Sequence, residues 1–305
     1  AIKAVYDGEG IKYEEIHRFE NIPKEVDGHI CHDVDMILSE VKQAIEKAGD
    51  IDSLAFDTWG VDYGLLDKHG KLLTNPVHYR DDRTIGAQEE AFKIFSKKDI
   101  YDITGIQFMN FNTLFQLFVE MRDNPELLAA ADKLLFIPDL LNYFLTGYKQ
   151  TEYTIASTSQ LLDAKKRDWS WELIEKFGLP EKLFSNVVKP GTVCGFFLPS
   201  LAEEFGGLNP KVISVAAHDT GSAVLAVPAK SEDFVYISCG TWSLFGTELR
   251  EPCITEMSAA LNITNEGGHD RTTRFLKNIM GLWMIQETRR QFKRNGKNYS
   301  YAEME

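Results

Sequence analysis

His218 and Asp219 stand inside a run of small and apolar residues, "ISVAAHDTGSAVLAV" over 213–227. A buried carboxylate is costly unless it is paired, hydrogen-bonded or needed for a reaction. Two chemistries suit the position. Asp219 could cap the helix that follows once a strand at 211–216 has ended. It could instead serve as a catalytic base at the mouth of a cleft. The residues alone favour the cap.

Three further stretches could carry chemistry. "DTWGVDY" at 57–63 holds two acids, a Trp and a Gly in a tight turn. There Gly60 either supplies backbone freedom or brings the backbone close to a ligand, and Trp59 is either core or an apolar wall of the kind sugars prefer. "SCGTWSLFG" at 238–246 reads as a strand, a small-residue turn and a second strand. A plain hairpin is the simpler reading, although turn amides can cradle phosphate oxygens with Thr241 as an added donor. "RTTRFLKNIMGLWMIQETRRQFKR" at 271–294 is expected to be one basic amphipathic helix with a solvated charged face. Asn278 and Gln286 would then lie about 12 Å apart along its axis, within reach of different parts of one extended ligand.

Other chemistries find no support. No GxSxG elbow and no GxxxxGK[ST] phosphate loop is present. Cys31, Cys194, Cys239 and Cys253 are far apart, without a CxxC or a paired Cys/His spacing, so no metal ligands are assigned and no disulfide framework is expected. A net charge of −13 argues against nucleic-acid binding. No apolar run reaches the ~18 residues of a membrane span, and no secretory signal opens the chain, so a cytoplasmic location is expected. The sequence leaves the oligomeric state open, a monomer included.

The elements that must position these residues can be read from pattern. "AIKAV" and "IKYEEIHRF" form a hairpin through "YDGEG". Residues 33–48 form an amphipathic helix capped by Asp33 and stopped at Gly49, with Ile37, Leu38, Val41 and Ile45 on one face. Two short strands flank Thr58-Trp59-Gly60. The middle, 84–185, is mostly helical, and strands return after 186. Strands mixed with helices fit an α/β core carrying a helical insertion. The "PAKSED" segment at 228–233 is the expected boundary, dividing a domain at 1–230 from one beginning at 231.

Together these segments resemble the FGGY carbohydrate kinases. The resemblance runs in order from about residue 12 to residue 292. "DTWGVD", "HDT" and "NITNEGG…KNIMGLW" point to the branch acting on L-rhamnulose. The fold it implies is α/β, two ribonuclease-H-like domains of the actin, sugar-kinase and Hsp70 type, with a helical insertion in the first. The implied reaction is ATP- and Mg²⁺-dependent phosphorylation of L-rhamnulose to L-rhamnulose 1-phosphate in L-rhamnose breakdown. Fuculose or xylulose would be alternative ketoses. By resemblance Asp219 would be the proton acceptor, with Gly60, His218, Thr220 and Asn278 as sugar contacts and Thr241 and Gln286 as nucleotide contacts. In that family a Gly/Ser-rich phosphate loop lies upstream of the position where this chain opens, and a glycine-containing adenine segment lies beyond Glu305. Both ends are therefore expected to be cut. If the 305 residues were the whole protein, weak or absent kinase activity, or a silent sugar-binding fragment, would be expected.

Overall fold

A computed structural model describes residues 1–240 and 242–304. β1 (Ile2–Tyr6) and β2 (Ile11–Glu15) form the opening antiparallel hairpin. α1 (Val34–Ala48) starts where the Asp33 side chain accepts the amide of Met36, and it stops at Gly49. Gly49 has a φ of 64°, a positive value that glycine takes most readily. Ile37 and Ile45 are buried on the inner face of α1, as the 3.6-residue spacing predicts. β3 (Ser53–Ala55) and β4 (Tyr63–Leu66) flank the Thr58-Trp59-Gly60 turn.

The middle of the chain is helical. α2 (Ala87–Ile94), α3 (Lys97–Thr104) and α4 (Thr113–Asp123) pack Ala91, Ile100, Leu114, Phe115 and Leu117 into the largest core cluster. β5 (Lys133–Phe136) pairs with β4 and leads into α5 (Ile137–Thr146), which has Pro138 in its first turn and Gly147 as its left-handed stop. α6 (Tyr153–Ser157) is a single buried turn and a half.

Strands then return in two sheets. β6 (Thr192–Gly195) and β7 (Lys211–Ser214) are antiparallel, and β7 lies parallel to β3, giving the order β6-β7-β3. α7 (Asp219–Leu225) follows β7. β8 (Tyr236–Cys239), β9 (Trp242–Leu249), β10 (Thr264–Gly267) and β11 (Thr273–Met280) form an antiparallel sheet in the order β8-β9-β11-β10. Val224 of α7 packs against Tyr236, Leu244 and Leu276, so α7 bridges the two sheets.

The expected single helix over 271–294 is not formed. Thr273–Met280 is the strand β11, and only α8 (Trp283–Arg294) is helical. Eight register pairs with β9 and four with β10 satisfy the β11 backbone from both sides, and Gly281 breaks the chain before α8. Tertiary pairing here overrides a spacing that suits a helix. No described helix is long and apolar enough to cross a membrane.

Candidate active site

The residues after β7 are held from two sides. Ala216 and Ala217 are buried, and their small side chains let neighbouring segments close on the backbone. Thr58 donates its amide to the Ala217 carbonyl at 2.9 Å, and the Asp219 amide donates to the Thr58 carbonyl at 2.8 Å. From the far side, the Glu152 carboxylate accepts the Ala217 amide at 3.1 Å, and the Thr154 hydroxyl accepts the His218 amide at 3.2 Å. The main chain carrying Asp219 is thereby fixed before any ligand arrives.

Asp219 is the first residue of α7 rather than its cap; His218 occupies the cap position and makes no side-chain capping bond. Asp219 Oδ1 accepts the Thr220 amide at 2.6 Å and the Thr220 hydroxyl at 3.2 Å. Its side chain is 56 % exposed, so the second carboxylate oxygen can reach a ligand. His218 is buried beside it, with Nε2 3.5 Å from Asp219 Oδ1 and Nδ1 3.0 Å from an Arg274 amino group. An arginine can only donate, so Nδ1 accepts and the imidazole proton sits on Nε2, facing Asp219.

These groups open onto a cavity of about 450 Å³. Trp59, Tyr79 and Trp242 wall it, and Gly60, His218, Asp219, Thr220 and Asn278 all line it. Five sequence-expected residues, from three separate stretches of chain, therefore share one cavity. Asn278 is on β11, where its amide donates to Gln107 Oε1 at 3.0 Å and its side chain to the same oxygen at 3.3 Å. Gln286 lies on α8, outside the residues that line this cavity, and the common helix expected for Asn278 and Gln286 does not exist. Thr241 lies outside the described residues. The strands β8 and β9 pair antiparallel, with Cys239 opposite Ser243.

Sequence reasoning passed over Tyr79, Gln107, Trp242 and Glu266, all of which line the cavity. Glu266 is buried opposite Arg274, which is itself fully buried although it read as part of a solvated basic face. Burial alone would raise the Glu266 carboxyl, but the adjacent guanidinium holds it down at about 2.

One group of acids and imidazoles and one lone carboxylate bear on cation binding. His32, Asp62 and His78 lie close enough to share an ion. Yet Asp62 Oδ2 already faces His32 Nε2 at 2.7 Å and accepts the Trp59 indole N–H at 3.0 Å and the Tyr79 amide at 3.2 Å, while Gln116 occupies Oδ1 at 3.2 Å. With Oδ2 fully engaged, the carboxylate works as a clamp on Trp59. Asp57 lies one residue before Thr58 and makes no ion pair among the described residues. Desolvation raises its carboxyl above the usual range, and the negative charge of Asp219 adds to the rise. A cation near the cleft would relieve that unfavourable field.

The pattern of the N-terminal domain of the FGGY family of carbohydrate kinases matches residues 5–226, and that of its C-terminal domain matches 235–305. A rhamnulokinase from Oceanobacillus iheyensis is 47% identical over 286 residues, covering 92% of this chain and 60% of that protein. One from Bacteroides thetaiotaomicron is 47% identical over 284 residues, covering 92% and 59%. The chain thus spans about three fifths of the length of the curated relatives it matches. Among solved structures, a ligand-bound xylulose kinase from Lactobacillus acidophilus superposes with a TM-score of 0.80 at 18% identity, covering 94% of this chain and 59% of the other. Plasmodium falciparum glycerol kinase with ADP gives 0.76 at 15%, covering 92% and 59%. The architecture is the actin-like fold of sugar kinases, and the chain belongs to the FGGY family of carbohydrate kinases.

Proposed function

We propose that this chain carries the sugar site of a cytoplasmic kinase that transfers the γ-phosphoryl group of ATP to the 1-hydroxyl of L-rhamnulose, giving L-rhamnulose 1-phosphate and ADP in rhamnose breakdown. The observation that carries the reading is Asp219, rigidly mounted and open at the wall of an aromatic-lined cavity of sugar size. The rhamnulokinase relatives favour this ketose over fuculose or xylulose.

An alcohol is a weak nucleophile, so Asp219 accepts the hydroxyl proton as the oxygen–phosphorus bond forms. The Thr220 donors at Oδ1 turn the free oxygen of the carboxylate to the sugar, and the proton on His218 Nε2 steadies the same group. Gly60 lets the main chain approach the ketose, and Asn278 is a further sugar contact. Thr241 and Gln286 serve the nucleotide from the domain that begins near residue 231. Mg²⁺ would be held mainly by nucleotide phosphates with one or two protein carboxylates, and would supply charge neutralisation at the transferred group. Asp57, whose carboxyl is raised by burial and by the charge of Asp219, would be a carboxylate able to hold it.

The test is coupled ADP release from a panel of ketoses. L-Rhamnulose should turn over fastest, and faster turnover on fuculose or xylulose would overturn the substrate. Retained sugar binding with no ADP release would instead favour a catalytically silent sugar-binding chain. Asp219→Asn should lower turnover by roughly 10²- to 10⁴-fold while leaving sugar affinity within a few-fold, the range for loss of a general base. An unchanged rate would remove Asp219 from that role.

A further inference from the structure

Glu266 is a charged group in the cavity wall that the proposed reaction leaves without a task. It is 6 % exposed and lies on β10 facing Arg274 of β11, its register partner. Its Oε2 is 3.2 Å from Arg274 Nη1 and 3.4 Å from His218 Nδ1, and among the described residues neither Oε2 nor Nη1 has a hydrogen-bond partner. Arg274 itself is held by Nε donating to the Gly267 carbonyl at 2.8 Å and by its contact with His218. The pair therefore balances in charge but not in hydrogen bonds. An unmet buried acceptor is expensive, and a buried ion pair adds little stability over apolar residues of the same volume. What the cavity binds must account for its presence.

The chemistry of that ligand follows. Because Arg274 already offsets the charge of Glu266, the site has no need of a cation and suits a neutral donor. A carboxylate accepts from hydroxyls with charge-assisted strength, and the aromatic walls take the apolar face of the same molecule. We propose that Glu266 is a specificity residue of the sugar site, accepting a hydrogen bond from one secondary hydroxyl of the ketose, away from the hydroxyl that faces Asp219. This rests on the sugar-site reading of the cavity.

The proposal is tested by calorimetric titration of the full 305-residue chain with L-rhamnulose and with analogues that each lack one secondary hydroxyl. The wild-type chain should bind one analogue roughly 10- to 100-fold more weakly than the parent sugar, the range for a hydrogen bond to a charged group. Glu266→Gln should bind the parent sugar more weakly and lose the discrimination against that analogue. Glu266→Asp keeps the charge opposite Arg274 while withdrawing the carboxylate by one methylene. It should show the same loss, and it decides the matter if the Gln variant does not fold. Wild-type discrimination in the folded variants overturns the proposal alone. A wild-type chain that binds no ketose overturns the sugar-site reading and this proposal with it.

Discussion

A β-carbon at Gly60 would stand 2.9 Å from both Cγ2 and Oγ1 of Thr158, and that hydroxyl accepts the Val61 amide at 3.0 Å. The next residue is equally constrained. Val61 has a φ of 67°, rare for a β-branched side chain, and its carbonyl is held by the Thr113 hydroxyl at 2.7 Å. Backbone in this region persists only where its surroundings over-determine it. Gly60→Ala should therefore push Thr158 away and release the Val61 amide, at a cost of about 1–3 kcal/mol in thermal or denaturant unfolding. Sugar affinity should fall with it, because Trp59 and Gly60 line the cavity on the same turn. A variant as stable and as tight-binding as wild type would show that the turn is not a fixed wall. "DTWGVD" marks the turn in sequence, and its glycine is legible as a point of close approach. The left-handed valine is not, since nothing local favours it and the contacts that impose it come from residues 113 and 158.

Among the elements, α5 and α6 carry a pair of buried acids behind the site. Both Asp139 oxygens lie within reach of the Glu152 amide, at 3.2 and 3.3 Å, while the Glu152 carboxylate caps α6 and anchors Ala217. Burial, and then the charge of Glu152, raises the Asp139 carboxyl well above its usual value. The native state thus keeps a proton that the unfolded chain has lost above about pH 4, so this group makes stability fall as pH rises through the raised value. Asp139→Asn keeps an acceptor for the Glu152 amide and removes the titration. Its denaturation midpoint should change less between about pH 5 and about pH 8 than that of wild type, with the variant gaining most at the upper end. Parallel slopes would show that Asp139 does not titrate in the fold. Elements with local signals were legible: Asp33 and Gly49 bound α1, and Pro138 and Gly147 bound α5, as written in the sequence. β11 was not. Phe275, Ile279, Leu282 and Trp283 suit a helical stripe, while the pairing that makes the strand comes from β9, about thirty residues upstream. The same error hid Arg274, whose partner Glu266 becomes adjacent only once β10 and β11 align.

At the scale of the whole molecule, the cavity depends on how the β8-β9-β11-β10 sheet is fastened to the helical middle. Tyr101 donates to the Ile263 carbonyl at 2.7 Å, the Phe108 amide to Asn262 Oδ1 at 2.8 Å and the Gly267 amide to Ser157 Oγ at 2.7 Å. The Asn265 amide reaches the Gly105 carbonyl at 2.9 Å, and Gln107 closes the row on Asn278. These bonds join segments about 110 to 170 residues apart and span the sheet from β10 to the end of β11. The strands bearing Glu266 and Asn278 are therefore fastened to the helical middle as far as the end of β11. In native-state hydrogen exchange, the Asn265, Gly267 and Asn278 amides should open together with those of α4. Gln107→Ala leaves the Asn278 amide without its acceptor, a loss of about 1–3 kcal/mol for a buried donor. Protection at Asn278 should drop roughly 10- to 100-fold, with α4 unchanged and sugar affinity reduced. Equal loss of protection at Asn278 and across α4 would mean that Gln107 supports the global fold. No loss at Asn278 would mean that the Gln107 bond does not protect that amide, and the fastening of β11 would then rest on its pairing with β9 and β10.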